Sequence, residues 1–427
     1  MLRGGRDGNG RRGLGPAFTN LFTANLSSSL GDGIARIAAP LLAARLTDDP
    51  LLISGIAATA LLPWLFFAIP AGILVDRIDR RHALALANTV RTLLALGLCL
   101  LVATDALTIW WLYAVIFVYG VFETVYDGAV RAVVPSIVAR ADLPRANSRI
   151  EAGELVVQNF AAGPFTSALF AVAVLVPLGV NVAVFAVAAG LALLLPRAAA
   201  GTHRARAASE PAVAWHRQLV DGLRFILANP MLRTLWFLST FIGICYSAAL
   251  ATWVLFVLER LGVPEAWFGT FMLAGAVGGL LGTLVVGRAS RAIGTGRVMA
   301  IANLVSTTVL ILVGAVPVVW VAVLGLALSS GAVTVWNVLV MSLRQSLIPS
   351  ALLGRVHGTW RTLLWGAMPL GSVLGGLLAR IDLTTPLVVG GILATAAAVL
   401  AFRFLTRLPE PADVDNGDAP VEPAGRS

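Results

Sequence analysis

Apolar residues run through this chain in long blocks, separated by short polar turns dominated by arginine. The blocks predict twelve helices, at 17–46, 50–76, 82–104, 107–134, 147–174, 177–196, 232–259, 264–288, 297–315, 317–345, 357–380 and 384–406. A bilayer core needs roughly 20 apolar residues of helix to cross it, and these blocks meet that length. The predicted class is an all-α integral membrane protein with 12 transmembrane helices. The blocks at 17–46, 107–134 and 147–174 are the least regular, because each carries ionisable residues.

Between the sixth and seventh blocks lies the longest polar stretch, Arg197 to Gln218. It divides the chain into six-helix bundles at 17–196 and 232–408, after a polar tail at 1–16. The intervening 197–231 ends in Leu219, Val220, Leu223, Phe225, Ile226 and Leu227, with Arg217, Asp221 and Arg224 between them. That pattern predicts an amphipathic helix on a membrane surface. Residues 409–427, rich in Pro, Asp and Gly, are expected to be disordered. A shift of 215 residues brings Gly72 onto Gly287, Ile78 onto Ile293, Ala85 onto Ala300 and Asn88 onto Asn303. The bundles are therefore read as two pseudo-repeats around a central cavity.

Composition supports lipid as the main solvent: 58% of residues are hydrophobic and 12% charged, about half the charge of a soluble domain. The net charge of +9 sits in short loops and forms no basic face, so nucleic acid is excluded as a partner. All basic side chains are arginine, which excludes a Walker-type phosphate loop and a Schiff-base lysine. Cys99 and Cys245 lie deep in apolar blocks, and the four histidines are dispersed. Neither metal nor cofactor is expected. Arginine crowds the even-numbered turns and the N-terminus, which predicts both termini in the cytoplasm. Arg45, Arg260 and Arg380, on the other side, each lie near an acid in sequence: Asp48, Glu259 and Asp382. No Ala-x-Ala-like site follows the first block, which is read as a retained helix.

The turn after the second block reads Gly72-Ile73-Leu74-Val75-Asp76-Arg77-Ile78-Asp79-Arg80-Arg81. It resembles the loop between helices 2 and 3 of the major facilitator superfamily, with Asp79 where that loop usually has glycine. Further segments resemble one branch of it, the enterobactin-exporter and macrolide-efflux group called transmembrane secretion effectors. These are Ser28-Ser29-Leu30-Gly31-Asp32, Leu143-Pro144-Arg145-Ala146-Asn147, Gly222-Leu223-Arg224-Phe225-Ile226 with Asn229-Pro230, and Gly354-Arg355-Val356 leading to Pro369-Leu370-Gly371. The resemblance implies a gating role for the loop. Gly72 would allow close helix packing, and Asp76 would pair with Arg131 of helix 4, joined by Asp127. The other reading of Arg77, Arg80 and Arg81 is simple anchoring of topology. In helix 5, Gly163-Pro164 resembles a reduced glycine–proline motif of superfamily drug–proton antiporters; an ordinary kink is the alternative. Pro369 and Gly371 are further hinge candidates.

Ionisable groups inside a span are costly and are functional candidates. Helix 1 carries Asn25, Ser28, Asp32 and Arg36 on one face. Asp32 and Arg36 are four apart and are expected to neutralise each other. Two readings follow: a structural ion pair, or a proton acceptor whose titration burial and Arg36 push in opposite senses. Glu123 and Asp127 share a face of helix 4, and Glu154 and Gln158 a face of helix 5. Asp32, Glu123 and Glu154 are the proton-coupling candidates. Tyr246, Trp253, Trp336 and Asn337 are candidate cavity residues.

The resulting expectation is a monomeric secondary exporter in a bacterial cytoplasmic membrane. It would exchange a small organic molecule (drug, antibiotic or siderophore) for protons by alternating access. A proton symporter or lipid-directed flippase is the alternative within transport. A membrane enzyme would need clustered acids, histidines or cysteines, and a receptor a soluble domain.

Overall fold

The computed structural model describes residues 14–200 and 215–411. The described chain is helical, without strands. Its long helices are α1 (Pro16–Leu46), α2 (Pro50–Arg77), α3 (Arg80–Ala103) and α4 (Ile109–Ile137). A broken helix follows: α5 (Leu143–Leu155), a π-helical segment (Val156–Ala161) and α6 (Ala162–Val172). Then come α7 (Leu175–Leu193), the surface helix α8 (Trp215–Ala228) and α9 (Pro230–Leu250). The short α10 (Trp253–Leu255) runs into a second π segment, Phe256–Arg260. The chain closes with α11 (Glu265–Ile293), α12 (Thr295–Ala315), α13 (Val319–Leu347), α14 (Ser350–Ala379) and α15 (Thr385–Leu405).

Eleven of these, with α5, the π segment and α6 taken as one, are long and apolar enough to cross a membrane. Besides the short α8 and α10, the helix left out is α1, whose 31 residues are long enough but carry Asn20, Asn25, Ser28, Asp32 and Arg36. Most boundaries lie within a few residues of the sequence expectation. Two differ more: the helix expected over 232–259 breaks after Leu250 into α10 and a π segment, and α14 starts seven residues early, at Ser350 rather than 357, directly after Pro349. Proline fits ahead of a first helical turn, whose N–H groups have no partner anyway.

Packing falls into two sets. In the first, α1 packs on α6 and α7, α3 on α4 and α7, and α2 on α4. In the second, α9 packs on α14 and α15, α12 on α13 and α15, and α11 on α13. The main seams between the sets are α2 against α14 and α6 against α11. The second seam is a glycine crossing: a Cβ on either Gly163 or Gly269 would collide with the other's backbone carbonyl. There the Gly269 N–H donates to the Ser167 hydroxyl at 2.7 Å.

The π segment has a local cause. Pro164 has no N–H and its ring displaces the carbonyl four residues back, so the turn before it widens. The predicted bend at Gly163-Pro164 is therefore present as a bulge just ahead of the seam. Gly371 meets the backbone of Ile244, which brings α14 close to α9. One turn away, the Ser247 hydroxyl donates to the carbonyl of Met368, the residue before Pro369, at 2.9 Å.

Helix α8 spans the stretch read as amphipathic, burying Ile226 and pressing Gly222 against Thr359 of α14. The tail from 412 onward lies outside the described residues. Ahead of it, Glu410 accepts from the Thr295 N–H at 2.8 Å and its hydroxyl at 2.5 Å, capping the start of α12.

Candidate functional site

Midway along its length, α1 presents its polar face to α3 and α4. Asp32 pairs with Arg91 of α3 at 3.4 Å. The Tyr119 hydroxyl of α4 donates to the same Asp32 oxygen at 2.5 Å. Arg91 also donates to the Ser28 hydroxyl at 3.1 Å, and Ser28 donates to Asn88 at 3.1 Å. Arg91 is 0% exposed and Asp32 6%. The guanidinium lies over the rings of Tyr119, Tyr126 and Phe185, at 5.0, 5.2 and 5.5 Å. Such cation–π contacts suit a charge held out of water. The expected Asp32–Arg36 pair does not form. Arg36 reaches Glu123 instead, at 3.3 Å. Sequence spacing sees only neighbours on one helix, whereas α3 and α4 each bring an opposite charge to this face.

Arg91 was missed at the sequence level. The available signal was a single arginine in the middle of the block at 82–104, three residues after Asn88.

These groups border a cavity of about 570 Å³. Asp32, Arg36, Tyr119, Glu123 and Asn181 supply its polar wall, against mostly aliphatic residues and Trp64, Trp253 and Trp365. Asn181 donates to the Gly31 carbonyl at 2.7 Å, tying α7 to α1. Trp253 is buried and packs on Phe256 and Phe271, with centroids 5.4 and 6.1 Å away. Trp64 meets Trp365 edge-on at 5.9 Å across the α2–α14 seam.

Other candidates lie elsewhere. Asn25 donates to Glu154 at 2.8 Å, away from the cavity wall. Gln158 sits on the π segment, whose backbone passes close to Gly33 of α1. Tyr246 joins a separate neutral node, where its hydroxyl lies 3.2 Å from that of Ser329 and Ser329 donates to the Ser306 carbonyl at 3.2 Å. Trp336 packs into the hydrophobic core of the second set, and Asn337 is exposed. Neither is among the residues that line this cavity, to which α13 contributes none.

The charged turn also differs from expectation. The Asp76 side chain lies outside the described residues. Gly72 permits no close approach here, since a Cβ on it would meet nothing within 4 Å. Arg77 and Arg131 are exposed, and Asp127 and Arg131 take part in no ion pair within 4 Å among the described residues. Arg80 donates to the Ala132 carbonyl at 2.7 Å, and Arg81 to the Leu195 carbonyl at 3.2 Å. These two arginines brace the start of α3 against α4 and the end of α7. Asp79 caps α3 by accepting from the Arg81 N–H at 2.9 Å. The Arg81 guanidinium on the same carboxylate holds Asp79 down at about 2.

Two ion pairs join the packing sets at the opposite end, where α1 stops and α2 begins. Arg45 grips Glu265 with two hydrogen bonds, at 3.1 and 2.5 Å. Arg380 grips Asp49 likewise, at 2.9 and 2.6 Å. The sequence neighbours Asp48 and Asp382 are not the partners; Asp382 instead accepts from Thr384 at 2.8 Å. The fork geometry of arginine suits such bidentate pairs. The Arg380 guanidinium, hydrogen-bonded to Asp49, holds its carboxyl below the usual carboxylate range.

Comparison with known proteins agrees with this architecture. The transmembrane secretion effector family matches residues 15–423. An enterobactin exporter, EntS, of Shigella flexneri is 25% identical over 365 residues, covering 85% of each chain. That of Escherichia coli O1:K1 is 25% identical over 367 residues, with the same coverage. Among solved structures, the nucleoside transporter NupG superposes with TM-score 0.70 at 14% identity, over 92% of this chain and 100% of that one. A bacterial homologue of the iron transporter ferroportin, in an inward-facing state, gives TM-score 0.72 at 16% identity, over 93% and 100%. A multi-span helical chain with this packing and these relatives is a transporter, not an enzyme, and belongs to the transmembrane secretion effector family of the major facilitator superfamily.

Proposed function

We propose that the protein exports a small organic molecule from a bacterial cytoplasm across the inner membrane, exchanging it for protons by alternating access. The observation that carries this reading is the Asp32–Arg91–Tyr119 node on the cavity wall. A carboxylate buried beside a fixed guanidinium can take up a proton when substrate leaves and release it when substrate binds. Asp32 is the main carrier, Glu123 the second through Arg36, and Glu154 a subsidiary site. The export direction rests on the relatives named enterobactin exporter.

Counting α1 as the twelfth span, the chain forms two six-helix pseudo-repeats. Their helix pairings match one for one: α1–α7 with α9–α15, α3–α4 with α12–α13, and α2–α4 with α11–α13. On this reading both termini and the α2–α3 turn are cytoplasmic. The pairs Arg45–Glu265 and Asp49–Arg380 then close the outer face. Asp76, Asp127 and Arg131 would form the inner gate when that end closes. On this reading the protein acts as a monomer.

The test is proton release from energised everted vesicles on adding candidate drugs and siderophores. Substrate-dependent release that disappears in Asp32→Asn supports the reading. Transport of a compound with no proton release would end it and favour another coupling.

A further inference from the structure

The acids on the cavity wall are already occupied: Asp32 by Arg91 and Tyr119, Glu123 by Arg36. A cationic guest would have to break a buried pair to find a partner. One cation beside the cavity makes no such pair; it is not itself a lining residue but stacks on two that are. Arg361 of α14 lies over the ring of Trp64 at 4.9 Å and that of Trp365 at 4.5 Å. Both tryptophans line the cavity, one from each side of the α2–α14 seam. Among the described residues Arg361 makes neither a side-chain hydrogen bond nor an ion pair. It is half-buried, and its nitrogens are not among the sealed, unpartnered atoms that include those of Arg344.

A guanidinium stacked on aromatic faces keeps its N–H donors at its edge, where a carboxylate or similar anion can take two of them at once. The rings beside it offer stacking surface to the body of the same guest. We propose that Arg361, with Trp64 and Trp365, is the anion-recognition point of the cavity, and that the substrate class is an aromatic organic anion. This rests on the exporter reading above and adds the charge and shape of its cargo. Asp127 and Arg131 act on Arg361 with opposite signs.

Two dyes with the same ring system but opposite charge make the test: carboxyfluorescein, an anion, and tetramethylrhodamine methyl ester, a cation. Binding of each to purified protein in lipid nanodiscs is measured by equilibrium dialysis. Saturable binding of carboxyfluorescein, tighter than the cation, is expected. Arg361→Gln should weaken it roughly ten- to hundredfold, as loss of a charge-assisted pair does. Arg361→Lys should fall between, keeping the charge without the fork. The cationic dye should be indifferent to both. Unchanged carboxyfluorescein affinity in Arg361→Gln, preference for the cation, or no saturable anion binding would each overturn the proposal. If Arg361→Gln melts well below the unaltered protein, Arg361→Lys alone decides, and affinity equal to the unaltered protein counts against the site. Arg361-dependent binding without proton-driven transport would sink the exporter reading and leave the anion site standing.

Discussion

The two packing sets hold equivalent polar nodes built from different chemistry. Helices α1 and α9 start 214 residues apart, α3 and α12 215 apart, and α4 and α13 210 apart. Applied to Asp32, Arg91 and Tyr119, those offsets give Tyr246, Ser306 and Ser329. Each triad is in contact: the first through an ion pair and a phenol donor, the second through the Tyr246 and Ser329 hydroxyls and the Ser306 backbone carbonyl. Asn88 and Asn303, 215 apart, are buried in both. The scaffold position is thus retained while the charge is confined to one side. A charged node can store and release a proton; a hydroxyl node at the same depth can only hold helices together.

The sharpest way to break this contrast is to remove the cation. Arg91→Leu leaves Asp32 buried without its partner, and loss of one member of a buried pair costs about 3–5 kcal/mol. A thermal melt of the purified protein should show a marked drop, and Asp32→Asn in the same chain should restore part of it. No drop would mean the pair carries little. Next in size is the phenol. Tyr119→Phe should slow proton-coupled transport several-fold, because Asp32 loses a charge-assisted hydrogen bond of roughly 1.5–3 kcal/mol. Tyr246→Phe should change the rate less than twofold in the same vesicles. Equal effects would dissolve the distinction between the nodes. The smallest expected effect lies outside both. Asp79→Ala should cost about 1 kcal/mol through loss of the α3 cap. Asp79 is held near 2 in the fold and close to 4 when unfolded. Its contribution is therefore complete above about pH 4 and fades as pH falls toward 2. Melts at neutral pH should separate Asp79→Ala from the parent, and melts near pH 2 should not.

Much of this was legible in the chain. Block length and arginine placement gave the helices. The stripe Asn25, Ser28, Asp32, Arg36 marked α1 as a helix that cannot face lipid, and its partners lie on α3, α4 and the broken helix α5–α6. The partners themselves were not legible, because an ion pair across helices leaves no spacing rule. Asp32 was given to Arg36 for that reason, and Arg380 and Arg45 were set only beside their sequence neighbours Asp382 and Asp48. Arg91 escaped because one charge hardly lowers the mean hydropathy of a long apolar block. Placing Trp336 and Asn337 needed the rotation of α13, which packing against α11 and α12 sets.

The glycine crossing at Gly163 and Gly269 has a mechanical consequence. Gly269 is the fifth residue of α11, so about 6 Å of that helix lies on one side of the crossing and roughly 36 Å on the other, at 1.5 Å per residue. Two backbones touching without intervening side chains make a fulcrum near one end of a long lever. A tilt of roughly 10° about it swings the far end of α11 through about 6 Å and the near end through about 1 Å. The short arm lies beside Glu265, so the Arg45–Glu265 clasp need stretch only slightly while the opposite mouth opens or shuts widely.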